Sequence, residues 1–191
     1  WRDWSSDVCS SDLCRGNHEL WFNFSAYRFR LGQSMPLVNG QSNDGAYFSL
    51  NIGATGALHL VVFNTETVDD TADVDTAQLA WLNIDLALAR AASPNGWILA
   101  GAHRPLYCTN DGGKGSDCGT FAPILRGLAE KAFLDSKTDV VLAAHMHGWE
   151  RFWPCNNGTA TATNYISPTA PTYIVNGAAG NREGNEDPAG N

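Results

Sequence analysis

Four of the chain's five histidines fall within three short polar clusters. The clusters are Gly16-Asn17-His18-Glu19, Gly101-Ala102-His103-Arg104-Pro105 and Ala144-His145-Met146-His147-Gly148-Trp149-Glu150-Arg151. Imidazole nitrogen and amide oxygen are donors that suit zinc, iron or manganese, and a set without Cys thiolate argues for a catalytic rather than a structural ion. His145 and His147 stand two apart just past an apolar run, so both can turn toward one centre. Taken singly, each has a plainer reading: His103 can merely cap a strand, and an H-x-H pair need not be a ligand pair. His59 lies between Leu58 and Leu60 in mid-strand and reads as a packed or outward residue without function.

The elements that must position these clusters alternate in type. Gly45–Ile52 and Ala57–Asn64 read as two strands joined by Gly53-Ala54-Thr55-Gly56, a hairpin loop with two glycines. Ala57–Asn64 is almost continuously apolar, the pattern of a strand covered on both faces. Asp75 predicts an N-cap for a helix over Thr76–Ala92, with Leu79, Leu82 and Leu86 on one face, and Ser93-Pro94-Asn95-Gly96 stops it. Trp97–Ala102 is a buried strand ending at His103. A second helix is expected over Phe121–Leu134 with Leu125, Leu128 and Phe133 inward. Val140–Ala144 is a buried strand ending at His145, and Thr172–Asn176 is the last. The order is α/β with a buried sheet, and such sheets place sites at the C-terminal edge of their strands.

The bulk numbers narrow the classes. The chain has 191 residues, 43% hydrophobic and 17% charged, which is globular rather than disordered. Its net charge is −8 and its basic residues are scattered, so nucleic-acid binding has no support. No apolar run is long enough to span a bilayer, so no membrane partner is expected. None of Cys9, Cys14, Cys108, Cys118 and Cys155 has CxxC spacing, which argues against a zinc ribbon. Cys108 and Cys118 bracket a Gly-rich loop that a local disulfide could close. Asn23-Phe24-Ser25 and Asn157-Gly158-Thr159 are glycosylation sequons, and with that disulfide they favour an oxidising, secreted setting.

Residues 1–13 stand apart. Trp4-Ser5-Ser6-Asp7-Val8-Cys9-Ser10-Ser11-Asp12-Leu13 resembles the conceptual translation of a short-read sequencing adapter; the alternative is a natural Ser/Asp-rich loop. Residues 1–13 are therefore excluded from fold reasoning, and the domain is read over 14–191.

The ordered set G-N-H-E, G-x-H-R-P and H-x-H-G-x-E-R resembles the metallophosphoesterase (calcineurin-like) superfamily. Within it, Tyr27-Arg28-Phe29-Arg30 with Met35-Pro36, and the stretch Tyr173–Gly184 (YIVNGAAGNREG), resemble the purple acid phosphatases. The resemblance covers Gly16 to Gly184. It implies part of an α/β/β/α sandwich of two packed mixed sheets carrying a dinuclear metal centre, Fe(III) plus Zn(II), Mn(II) or Fe(II). By matching motif, Asn17, His103 and His145 would bind the second, divalent metal and His147 the first. His18 would face the substrate phosphate and assist the leaving oxygen. Glu19 and Glu150 would hold ligands or loops in place, and Arg151 would either do likewise or stay on the solvated surface. The implied activity is hydrolysis of a small-molecule phosphate monoester by a secreted acid phosphatase.

The family pattern also calls for D-x-H/G and G-D-x-x-Y motifs ahead of GNHE, which supply an Asp, a bridging Asp and a Tyr to the metals. None precedes Gly16 here. The chain is thus expected to be the C-terminal part of the catalytic domain, to bind metal weakly by itself, and to expose edges or faces of its central strands. The superfamily motifs alone also permit diester or pyrophosphate substrates, and a non-catalytic fragment is the non-enzymatic alternative.

Overall fold

The computed structural model describes residues 16–17, 46–53, 57–66, 75–109 and 117–177. Residues 1–13, His18, Glu19, Asn23 and residues 178–184 lie outside the described residues.

The centre of the fold is a six-stranded mixed sheet with strand order β1-β2-β3-β4-β8-β5. β1 (Phe48–Ile52) and β2 (Leu58–Val62) pair antiparallel as the expected hairpin. β3 (Trp97–Ala102), β4 (Val140–Ala143) and β8 (Thr172–Asn176) then continue the sheet in parallel. β5 (Trp149–Arg151) closes the far edge antiparallel to β8. The central strands β2, β3 and β4 therefore each have a neighbour on both sides, and the expectation of exposed edges on them is corrected.

Helix α1 spans Thr76–Ala92, capped at Asp75, whose carboxylate accepts from the Gln78 amide at 3.0 Å. Gln78 itself is buried and grips the Asn64 backbone from both sides: Asn64 N–H donates to Oε1 at 2.6 Å and Nε2–H donates to the Asn64 carbonyl at 2.9 Å. A polar residue on the inner face of the helix thus fixes where β2 ends. The second helical region differs from the regular helix expected. It begins with a π turn over Asp117–Phe121, and then runs through α2 (Ala122–Leu125), a second π turn (Arg126–Glu130) and α3 (Lys131–Asp135). Leu125 and Phe133 are buried as expected and Leu128 is half-buried.

Both helical layers pack on one face of the sheet. Val61, Ile98, Ala100, Val141 and Tyr173 meet Leu82, Leu86, Leu125 and Phe133 there in one continuous core. On the opposite face Leu60, Leu99, Leu142 and Ile174 are only half-buried, and Trp97 is 60% exposed. Val62 and Phe48 are nonetheless fully buried on that face, so the reading of β2 as covered on both faces holds at its C-terminal end and for one face elsewhere. A run of apolar residues reports that a strand avoids water, not which layer covers it.

Three strands escape the sequence reading. β5 lies inside the polar cluster after β4. β6 (Cys155–Asn156) and β7 (Thr159–Ala160) form a separate small hairpin. Its turn residues Asn157 and Gly158 both have positive φ, 48° and 77°, the conformation that Asn-Gly favours in two-residue hairpins. The Asn157 sequon is exposed on this turn.

Candidate metal centre

β2, β3 and β4 run parallel, so their C-terminal ends deliver Asn64–Glu66, His103–Arg104 and His145–His147 to the same edge of the sheet. Main-chain bonds hold those ends in step: Phe63 N–H donates to Gly101 at 3.0 Å and Ala144 N–H to His103 at 2.9 Å. Past β4 the chain turns sharply. His145 takes a left-handed conformation with φ of 60°, and short bonds follow from Met146 N–H to Ala144 at 2.6 Å and from Gly148 N–H to Met146 at 2.7 Å. A non-glycine residue held with positive φ at a strand end is a feature that concentrates at functional sites.

The turn is also clasped from β8. Gly177 N–H donates to the Gly148 carbonyl at 3.1 Å, and a Cβ on Gly177 would stand 2.2 Å from the Met146 oxygen. No side chain fits between these two backbones, which is why the last strand must run into glycine.

Three of the residues picked from sequence meet here. Asn17 Oδ1 lies 2.8 Å from His103 Nε2, and His103 Nε2 lies 3.0 Å from His145 Nδ1. The two imidazoles meet edge to face, centroids 4.9 Å apart. Donors bound to one ion at about 2.1 Å stand roughly 3.0–3.4 Å from one another; the two imidazole nitrogens meet that spacing, and the Asn17 oxygen stands at hydrogen-bond distance from His103. Among the described residues no group of three or more His, Cys, Asp or Glu that could hold a metal occurs, and the third donor here is an amide oxygen. The donor set is neutral and fits a divalent zinc, iron or manganese ion. His147 is half-buried two residues beyond His145.

Around these donors sits a charged shell that sequence reasoning missed. Arg104 Nε donates to both Glu66 oxygens at 3.1 and 3.2 Å, while its Nη1 reaches Asp117 and stands 3.2 Å from His145 Nε2. Asp117 Oδ2 is also 3.2 Å from His145 Nε2. Thr65 Oγ1 accepts from Arg104 N–H at 2.9 Å and donates to Glu66 at 3.2 Å. The Glu66 side chain is 1% exposed, and burial raises its pKa above the ordinary 4.5 even with Arg104 pulling it down. For His145, burial and then the Arg104 guanidinium lower the pKa, against the opposing pull of Asp117. Burial and the guanidinium both favour the neutral ring, the form in which a nitrogen can donate a lone pair. Thr65-Glu66 was findable, since it follows an apolar strand at the same edge as the other clusters. Asp117 was not, because its partners are distant in sequence.

The remaining candidates take peripheral places. Glu150 holds the loop after β3, accepting from Thr109 N–H at 2.9 Å and from its hydroxyl at 3.0 Å. Arg151 is exposed, with its guanidinium 5.0 Å from the Tyr165 ring and 5.9 Å from the Trp149 ring. Cys108 and Cys118 are joined in a disulfide, and Cys155 is buried and free. His59 is packed: it bonds Asn51 at 2.9 Å and Asp85 at 2.8 Å.

A sequence profile described as calcineurin-like phosphoesterase matches residues 13–149, which is most of the chain and takes in the histidines of all three clusters. The chain belongs to the calcineurin-like phosphoesterase family. Among curated relatives of this phosphoesterase chain, acid phosphatase type 7 of Danio rerio is 36% identical over 195 residues, covering 89% of this chain and 41% of its own length. Acid phosphatase type 7 of Homo sapiens is 34% identical over 187 residues, with coverages of 89% and 40%. Purple acid phosphatase 22 of Arabidopsis thaliana is 30% identical over 180 residues, with coverages of 90% and 37%. The chain thus spans about two fifths of the length of these relatives. A solved purple acid phosphatase from yellow lupin (Lupinus luteus) seeds shares the fold, with TM-score 0.61 at 21% identity, over 78% of this chain and 25% of that one.

Proposed function

We propose that this phosphoesterase chain supplies one side of a dinuclear metal centre that hydrolyses phosphate monoesters at acid pH. The observation that carries the reading is the convergence of Asn17 Oδ1, His103 Nε2 and His145 Nδ1, each within 3.0 Å of the next. In this reading those three residues hold the divalent ion, Zn(II), Mn(II) or Fe(II), and His147 binds the Fe(III) partner. His18 would face the substrate phosphate and stabilise or protonate the leaving oxygen. Glu19 and Glu150 support the loops that carry the ligands. The ions would polarise phosphoryl oxygens and lower the pKa of a bound water. The chain's own residues keep the donors neutral and spaced, so that the positive charge of the ions is not spent on ligand carboxylates.

The names of the relatives support an acid phosphatase over other members of the family. The Cys108–Cys118 disulfide supports a secreted protein, with glycans at Asn23 and Asn157. No helix among the described residues is long and apolar enough to cross a membrane.

The test is metal analysis and a rate comparison on the longer protein that carries this segment. Two metals per chain are expected, with hydrolysis of a monoester preferred over a diester at pH 5. His103→Ala and Asn17→Ala should each cost one metal and nearly all turnover. A protein that retains full activity in both variants, or that carries no metal, would falsify the proposal.

A further inference from the structure

His145 Nε2 has two neighbours at 3.2 Å with opposite demands. Arg104 can only donate, so bonding to it would require a lone pair on Nε2 and a proton on Nδ1. The Asp117 carboxylate can only accept, so bonding to it requires Nε2–H and leaves the lone pair on Nδ1. Nδ1 is the atom that faces His103 Nε2 and, through it, Asn17. Which neighbour wins decides whether the nitrogen facing the donor cluster is a ligand or a proton carrier.

We infer that Asp117 is a positioning residue that selects the Nε2–H tautomer of His145 and so presents the Nδ1 lone pair to the metal. This inference rests on the metal reading above. Arg104 has its Nε on Glu66 and one Nη1 hydrogen on Asp117 Oδ1, and an anionic carboxylate is the stronger partner for an imidazole N–H, which assigns Asp117 Oδ2 to His145. One carboxylate thus answers two donors with two oxygens. Its placement is built in. Asp117 opens the first π turn and adjoins Cys118, whose disulfide partner Cys108 follows the same strand end that bears His103 and Arg104. A disulfide of sequence separation 10 therefore ties the carboxylate to the strand whose arginine it must engage. Neither Asp117 nor its pairing with His145 emerged from the motifs, because the residue lies outside every cluster.

Asp117→Asn is the discriminating change. The amide keeps the shape but has one acceptor; the Arg104 cation claims that oxygen, and the NH2 then faces Nε2 and donates to it. The ring should switch to Nδ1–H. The experiment uses the full chain, 15N-labelled on histidine and metal-free, with the His145 signals assigned by their loss in His145→Gln. Wild type should show Nε2–H and Asp117→Asn should show Nδ1–H. Zinc added to the same samples should bind about 10- to 100-fold more weakly to Asp117→Asn, and Asp117→Glu should recover most of the loss. An Nδ1–H signal in wild type overturns the inference. So does an Asp117→Asn protein that keeps Nε2–H and binds zinc within about threefold of wild type. If wild type takes up no zinc, the metal reading fails, while the metal-free tautomer still decides the role of Asp117.

Discussion

Each end of the parallel strands is organised by one arginine, and the two are used differently. At the N-terminal edge, Arg90 in the last turn of α1 donates to main-chain carbonyls: Ser136 and Lys137 at 2.8 Å, Gly96 at 2.7 Å and Pro94 at 3.1 Å. It joins the turn before β3 to the turn before β4, and its carboxylate neighbour Asp139 stands 3.5 Å away. At the C-terminal edge, Arg104 bonds side chains instead, the carboxylates of Glu66 and Asp117, with the His145 imidazole beside them. Carbonyls carry no titratable proton, so the Arg90 knot holds at any pH where the arginine is charged. The Arg104 knot depends on the protonation of each partner. One end is a fastening; the other is a fastening coupled to chemistry.

The comparison can be broken most sharply at Arg104. Arg104→Ala leaves the Glu66 carboxylate buried without its cation and should cost about 3–5 kcal/mol at neutral pH, read as a lower urea midpoint. Because Glu66 can escape by protonating, that loss should shrink toward acid pH. Arg90→Ala should cost about 2–3 kcal/mol, with a loss flat across the same pH range and zinc affinity per folded molecule unchanged. Should the two variants show the same pH profile, the distinction between the two ends is wrong.

Gly177→Ala comes next. Its Cβ would press on the Met146 carbonyl, so the turn bearing His145 and His147 must move, at a cost of about 2 kcal/mol. Zinc affinity should fall with it, as seen by calorimetry; an alanine protein with unchanged affinity would mean the clasp does not set the turn. The smallest effect concerns Glu66 itself. Its folded pKa is raised, so its contribution is fully present below about 4.5 and is lost as pH rises through the folded value. Glu66→Gln should remove that slope, giving a flatter stability-against-pH curve than wild type.

Much of this was legible in the sequence, because the elements that carry the site are local statements. Asp75 as cap, Thr76–Ala92 as helix, and the strands Trp97–Ala102 and Thr172–Asn176 came out with the boundaries the structure has. Asn17, His103 and His145 were marked by type and by their motifs, and the two histidines also by their place beyond apolar runs. What stayed hidden is what depends on partners far along the chain. Glu66 and Arg104 are 38 residues apart, and nothing local in either signals an ion pair. The π turn over Arg126–Glu130 interrupts a stretch that reads as ordinary helix, and the one over Asp117–Phe121 precedes it; such turns carry no residue signature of their own. β5 was missed because it is three residues long and is defined by pairing with β8 rather than by its own pattern.

The strand order has a consequence for the time at which the site can form. β8 sits between β4 and β5, although both precede it in the chain. During synthesis, which proceeds from the N-terminus, the segment around His145 and His147 emerges before the strand that clasps it. Until Gly177 has left the ribosome, β4 is an open edge and the histidine turn has nothing to press against. Nascent chains therefore pass through a stage with His145 and His147 made but not arranged, and the arrival of β8 sets the turn that carries them.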